Sequence, residues 1–290
     1  MTAAAFCFSI MNIAIRIVSG ELDPLQIAFF RNLFALAFML PWLARAGLAG
    51  LATRRIGTHL WRAAMGMLAM VCWFYSIALL PLAEAVALNF TVPLFATAGA
   101  ALFLGEIVRA RRWSATLVGF LGVLVILRPG FTELSPSMAL PVLAAVFMSL
   151  ATLIVKSLSR SESPAAIVLY MNLILTPLSL VPALFVWRWP SWTALALLVL
   201  IGLLAALAHI ALTRAYTRAD ASAVMPFDYA RLPFVAALAF LVFGQVPDLW
   251  TWAGAAIIAG SAIYIARREA LVARLRPASG AAAAAPKGRP

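Results

Sequence analysis

Apolar residues run through this chain in long stretches separated by short polar connections. They show neither the alternation of a half-buried strand nor the single stripe of a surface helix. An α-helix needs about 20 predominantly apolar residues to cross a bilayer. Ten such stretches can be marked, at 2–19, 25–44, 60–80, 85–104, 113–129, 137–156, 164–187, 192–213, 221–243 and 247–266. The connections leave no room for a soluble domain. After Arg276 the sequence PASGAAAAAPKGRP is low-complexity, and 271–290 is expected to be a disordered tail. The pattern predicts an all-α membrane protein of ten transmembrane helices.

Composition points the same way. Of 290 residues, 65% are hydrophobic and only 11% charged, with a mean hydropathy of +1.01. A soluble fold of this length has too few charges to cover that much apolar surface. The net charge of +12 raises nucleic acid as a partner, but a nucleic-acid binder gathers its basic residues on one face or segment. Here they lie between apolar runs, so the bilayer is the expected partner and nucleic acid is not. Cys7 and Cys72 both sit inside apolar runs and read as small buried hydrophobes. No cleavable signal peptide is expected, because the chain enters an apolar run without a charged leader. That first run is slightly short, as if a few residues preceded it.

Lys and Arg placement predicts the orientation. With a cytoplasmic N-terminus, the inner loops and tail hold 17 basic residues: Arg45, Arg54, Arg55 and Arg62, then Arg109, Arg111 and Arg112, then Lys156, Arg160, Arg214 and Arg218, then Arg267, Arg268, Arg274, Arg276, Lys287 and Arg289. The outer loops hold only Arg128 and Arg188. Both termini are therefore expected in the cytoplasm and the protein in a bacterial-type inner membrane.

The two halves match at an offset of 139–140 residues. Ser9, Asn12, Arg16 and Ser19 fall opposite Ser149, Thr152, Lys156 and Ser159, Pro24 and Asn32 opposite Pro164 and Asn172, and Pro93 opposite Pro233. Gly105-Glu106 pairs with Gly244-Gln245, and Trp113 with Trp252. The expected repeats are 1–130 and 131–270, each with five spans. Five is odd, so the second repeat enters the membrane inverted. Inverted repeats characterise secondary transporters whose halves rock about a site near the midplane, and helix-breaking prolines at matching positions point to that site.

The stretches PLQIAFFRNLFALAFMLP (24–41), PLAEAVALNFTVPLFATAGAALFLGE (81–106) and PFDYARLPFVAALAFLVFGQVPDLWTWAGAAIIAGSAIYIARRE (226–269) carry a family resemblance. Over residues 1–270 the chain resembles the drug/metabolite transporter superfamily, specifically its EamA-like ten-helix permeases. The FFRN and PFDYARL stretches look most like those of members linked to S-adenosylmethionine or riboflavin uptake. The resemblance implies two five-helix repeats and a transport function. Two departures stand out: Arg16 occupies a position where relatives often carry Lys, and Gln245 replaces the carboxylate that the first half keeps as Glu106.

Ionisable groups in the hydrocarbon region cost about 2.5–3.5 kcal/mol each on insertion scales, so they face a cavity or a partner. Arg31, a third of the way into the second span, reads equally as a cation for a substrate carboxylate or phosphate and as half of a structural bridge, for example to Asp228. Asp228 and Arg231 are three apart and share a helix face. With Tyr229 between them and Pro226 and Pro233 on either side, this segment is the strongest substrate-pocket candidate, against an ion pair that only holds the helix. Asn89 lies opposite Asp228 and close to Pro93. Asn12, Asn32 and Asn172 read as helix-packing amides. His209 is a lone histidine, either a proton carrier or a packing residue. Trp73 and Tyr75, with Phe74, offer stacking surface to a flat ligand, although such aromatics usually pack or form interfacial belts. Arg16 and Lys156 lie near span ends and can snorkel.

No metal-ligand spacing, phosphate-binding glycine loop or nucleophile–base constellation is present, so neither catalysis nor a cofactor is expected. The function this predicts is a secondary transporter for a small, charged organic metabolite. Broad-specificity efflux, a membrane-embedded enzyme using the same cavity and a channel are the alternatives.

Overall fold

The computed structural model describes residues 2–46, 53–92, 94–96, 99, 110–127, 135–218 and 231–275. Ten helices of eight residues or more follow one another among them, with no strand. They are α1 (Thr2–Val18), α2 (Pro24–Ala46), α3 (Ile56–Leu79), α4 (Leu82–Asn89), α5 (Ala110–Leu127), α6 (Ala139–Leu158), α7 (Pro164–Phe185), α8 (Trp192–Arg218), α9 (Arg231–Phe243) and α10 (Leu249–Leu275). Five carry stretches long and apolar enough to cross a membrane, and the rest hold shorter apolar stretches. Each falls on one of the expected spans. Two boundaries differ usefully. α3 begins four residues before the expected 60, and α10 runs to Leu275, past the expected limit of the helical body at 270.

The boundaries have local causes. Asp23 Oδ1 accepts the Leu25 amide at 2.8 Å ahead of Pro24, and at the matching place Ser163 Oγ accepts the Ala166 amide at 3.2 Å ahead of Pro164. Each pairs an oxygen acceptor with a proline whose missing N–H is harmless in the first turn. α9 ends at Gly244, whose φ of +65° suits a residue without a Cβ. Its amide donates to Phe240 O at 2.9 Å. α4 stops at Asn89, and Phe90 and Thr91 form a turn before helix resumes at Val92. Residue 93 is proline, so the Asn89 carbonyl has no amide four residues on to accept from.

The main interfaces run between halves. α1 packs on α8, α3 on α6, α2 on α7 and α8, and α5 on α10. If α1–α5 are exchanged for α6–α10 in order, the α1–α8 contact becomes the α6–α3 contact, while α2–α7 and α5–α10 map onto themselves. The α1–α9 and α4–α6 contacts also exchange. This is the contact pattern of two five-helix repeats about a pseudo-two-fold axis. At the α5–α10 crossing, a Cβ on Gly254 would lie 2.6 Å from the Gly122 carbonyl oxygen, so the backbones touch directly.

The outer surface is apolar. Leu117, Val181, Leu184, Leu241 and Phe240 face outward, and Trp189 and Trp192 are 84% and 88% exposed at one end of the helices. Buried positions include Asn12, Gln26, Arg31, Asn32, Arg62, Asn89 and Asn172. Apolar outside and polar within is the arrangement a bilayer requires.

Candidate functional site

A cavity of about 210 Å³ lies between the halves and is lined from eight helices, all but α5 and α10. Many of its walls come in repeat-related pairs. Phe8 and Met148, Met11 and Ala151, Asn12 and Thr152, Arg31 and Met171, Ala69 and His209, and Trp73 and Thr213 are each 140 residues apart, and all line it. The cavity therefore straddles the pseudo-two-fold axis. Its backbone frame is symmetric but its chemistry is not, because Arg31 faces Met171 across the axis and His209 faces Ala69.

Arg31 is only 5% exposed and, among the described residues, is held by neutral groups. Nη1 donates to Asn32 Oδ1 at 2.8 Å and approaches Met70 Sδ at 3.5 Å, and Nη2 lies 2.7 Å from His209 Nε2. A guanidinium only donates, so the histidine nitrogen is the acceptor, which assigns the ring proton to Nδ1. The Phe8 ring meets the imidazole edge-on at 5.4 Å. Asn32 is locked in turn by Ser179 Oγ at 3.3 Å. It orients the arginine as well as bridging two helices.

Arg62 is the residue the sequence pattern missed. A span starting at 60 makes it a loop-side topology signal, but α3 starts at Ile56 and carries Arg62 into its second turn, 8% exposed and on the cavity wall. The apolar Ile56 and Leu60 ahead of it were the available signal. Among the described residues neither Arg31 nor Arg62 has a carboxylate partner, and the Nε of each is buried without an acceptor. Asn12 also lines the cavity with both amide atoms unpartnered, unlike the packing role expected of it. Asn89 donates weakly to Pro141 O at 3.4 Å and Met148 Sδ at 3.6 Å, leaving its own oxygen unpartnered.

Arg31, Asn89, Trp73, His209 and Arg231 thus meet at one cavity, Arg231 with its guanidinium 5.7 Å from the Phe8 ring centre. Tyr75 does not. Its hydroxyl donates to Asp23 Oδ1 at 3.0 Å at the α1–α2 turn, because two residues along a helix turn the side chain about 200° away from Trp73. Asp228 and Tyr229 lie outside the described residues. Arg16 turns inward rather than snorkelling, donating to the carbonyls of Ile77 and, at 2.7 Å, Leu80 at the end of α3. No group of three or more His, Cys, Asp or Glu able to hold a metal occurs among the described residues.

Polar links tie the halves at both ends. At the α1–α2 turn, Glu21 accepts from the Ser191 amide at 2.6 Å and from its hydroxyl at 2.8 Å. These bonds hold the Glu21 carboxyl below the usual glutamate range. Nearby the Gln26 amide bonds both the carbonyl and the N–H of Arg188. At the other end, Arg55 donates to the Ser157 carbonyl and hydroxyl, both at 2.8 Å, and Thr53 to Glu162 at 2.7 Å. The first set joins the α1–α2 turn to the α7–α8 connection, and the second joins the α6–α7 turn to the α2–α3 connection. The repeat exchange converts one into the other.

An apolar-surfaced bundle of two five-helix repeats around a shared, largely apolar cavity with a few buried polar groups defines a membrane carrier. The chain belongs to the EamA-like transporter family, whose model matches residues 1–128 and again 136–267. It is 38% identical over 274 residues to a riboflavin transporter of Vibrio cholerae serotype O1, covering 93% of this chain and 92% of that one. It is 31% identical to an S-adenosylmethionine uptake transporter of Rickettsia bellii, covering 86% of each. A pseudopaline exporter of Pseudomonas aeruginosa is 34% identical, with coverage of 92% and 94%. A solved crystal structure at 19% identity superposes with a TM-score of 0.68 over 92% of this chain and 96% of the other, which establishes the fold.

Proposed function

We propose that this protein is a secondary transporter that moves a small organic metabolite, bearing a charged group and a planar ring, across the inner membrane by alternating access. The observation that carries this reading is a cavity built jointly by matching positions of both halves, where rocking of one repeat against the other exposes the same residues to either side. Relatives named for riboflavin, S-adenosylmethionine and pseudopaline support a small metabolite as cargo. Arg31 and His209 supply the polar contacts, Trp73 and Phe74 the flat surface, with Asn89 and Arg231 on the same wall. Asp228 and Tyr229 belong to the same segment of sequence as Arg231.

In this reading the repeats span about 1–130 and 131–270, and both termini face the cytoplasm, the side that receives 16 basic residues from loops, helix ends and tail against two on the other once buried Arg62 is set aside. The α2–α3 end is then the inner one and the α1–α2 end the outer one. The test is flux of labelled riboflavin, S-adenosylmethionine and amino-acid-derived metabolites into proteoliposomes, preceded by a thermal-shift screen of the same panel. Saturable flux of one chemical class, reduced at least tenfold by Arg31→Gln in a variant that still inserts and folds, supports the reading. Absence of protein-dependent flux across the panel in both directions counts against it. The named relatives include an uptake transporter and an exporter, so direction is a quantity that this assay reads.

A further inference from the structure

The sign of the substrate's charge can be read from the cavity, and this step rests on the cavity being the transport site. Arg31 and Arg62 line it and are 95% and 92% buried. Among the described residues the partners of Arg31 are an amide, a thioether and an imidazole, all neutral. Arg62 has no carboxylate partner among the described residues. Buried cations without counter-ions are retained where something else supplies the negative charge. Arg231 adds a third cation to the same wall, and among the described residues the lining contains no Asp or Glu. Asp228, three positions before Arg231, at most offsets one of the three.

The repeat sharpens the point. The positions 140 residues from Arg31, Arg62 and His209 are Met171, Gly202 and Ala69. None of these carries charge, and a Cβ at Gly202 would lie 2.4 Å from Phe34 Cβ. The charge is therefore not a consequence of helix packing common to both halves; it has been added to one set of positions. Asn12 and Asn89 leave amide atoms unpartnered at the same wall, and Trp73, Phe74 and Phe90 provide apolar surface beside it.

We infer that the cavity selects an organic anion, its carboxylate or phosphate held between Arg31 and Arg62 and its flat apolar portion against Trp73 and Phe74. Arg31 is the pre-oriented anchor, fixed by His209 and Asn32. Arg62 is the second anchor and closes on the charge as the ligand enters. A neutral ring of the same shape leaves both guanidinium groups without a counter-charge and binds less well.

Matched pairs of probes test this with the purified full-length protein in nanodiscs: 2-naphthoate against 2-naphthamide, and flavin mononucleotide against riboflavin, with binding read by calorimetry and thermal shift. The expected result is roughly tenfold or greater preference for the anionic member of a pair, as for a charge-assisted hydrogen bond. Arg62→Gln reduces that preference to near unity and Arg62→Lys restores part of it. If Arg62→Gln does not fold, the wild-type comparison decides alone. Equal or tighter binding of the neutral members, no binding of either anion at millimolar concentration, or an unchanged preference in Arg62→Gln overturns the inference. Saturable flux of neutral riboflavin without anion preference sinks the inference and leaves transport through the cavity standing, without the charged group on the cargo. Anion-selective binding with no flux of any probe does the reverse.

Discussion

An amide side chain presents two donor and two acceptor positions, and Asn32 and Asn12 meet that demand differently inside this bundle. Asn32 accepts from Arg31 and donates to Ser179, so its burial is compensated. Asn12 is 1% exposed with neither amide atom partnered. Replacing an unsatisfied polar group by an apolar one of similar shape is close to neutral or stabilising. Asn12→Leu is accordingly expected to keep or raise the thermal unfolding midpoint, by up to about 1 kcal/mol of stability, while weakening ligand binding. A large loss of stability would show that the amide has a structural partner. The sequence singled out Arg31, Asn89, His209 and Arg231 because each is a polar group in the middle of an apolar run, where hydropathy makes it conspicuous. Arg62 escaped because at a span boundary a cation costs little and reads as a topology signal. Trp73 and Tyr75 are adjacent aromatics in one dimension, and only helix geometry separates the cavity-facing one from the one that meets Asp23.

At the scale of elements, span count and order were legible because about 20 apolar residues are a physical requirement of the bilayer. Helix ends were less so, since they depend on caps and on one-turn extensions that hydropathy does not register. The break after Asn89 was foreshadowed by Pro93, which removes one amide from the ladder. The α5–α10 crossing was not foreshadowed, because glycine is common in membrane helices and its role there shows only when a second backbone is placed against it. Gly254→Leu drives a side chain into the Gly122 carbonyl and Ile126, and a loss of about 1–3 kcal/mol is expected for such overpacking. Gly260→Leu, on the same helix with nothing within 4 Å of its Cβ position, is the control and should leave thermal stability unchanged. Equal effects of the two substitutions would remove the crossing as a tight contact.

At the scale of the whole molecule, if the repeats rock as proposed, the two repeat-related clasps oppose that motion. A partly buried hydrogen bond such as those of Gln26 and Arg55 contributes about 0.5–1.5 kcal/mol net, so removing one shifts the balance of states by up to about tenfold. In a background lacking Cys7 and Cys72, Thr152→Cys reports access to the cavity by a membrane-impermeant maleimide. Gln26→Ala with Glu21→Gln should speed labelling from the α1–α2 side, and Arg55→Ala from the α2–α3 side. Unchanged labelling from both sides would show that the clasps do not gate. The Glu21 link also predicts acid sensitivity. Its folded-state carboxyl titrates below the unfolded one, so its contribution is fully present above the ordinary glutamate range and is lost as pH falls through the folded value. The midpoint difference between wild type and Glu21→Gln should therefore shrink as the buffer is taken from neutral pH to about 3; a constant difference would exclude this titration as the cause. The asymmetry of the cavity has a further consequence. If Arg31 and His209 sit on one side of a two-fold frame, the inward-open and outward-open states are not mirror images, and they hold the same ligand with different affinity. Around a closed thermodynamic cycle that inequality must be matched by an equal and opposite offset between the empty and the loaded carrier. Such a carrier can spend unequal times facing the two compartments, yet without a second gradient it cannot accumulate its cargo in either.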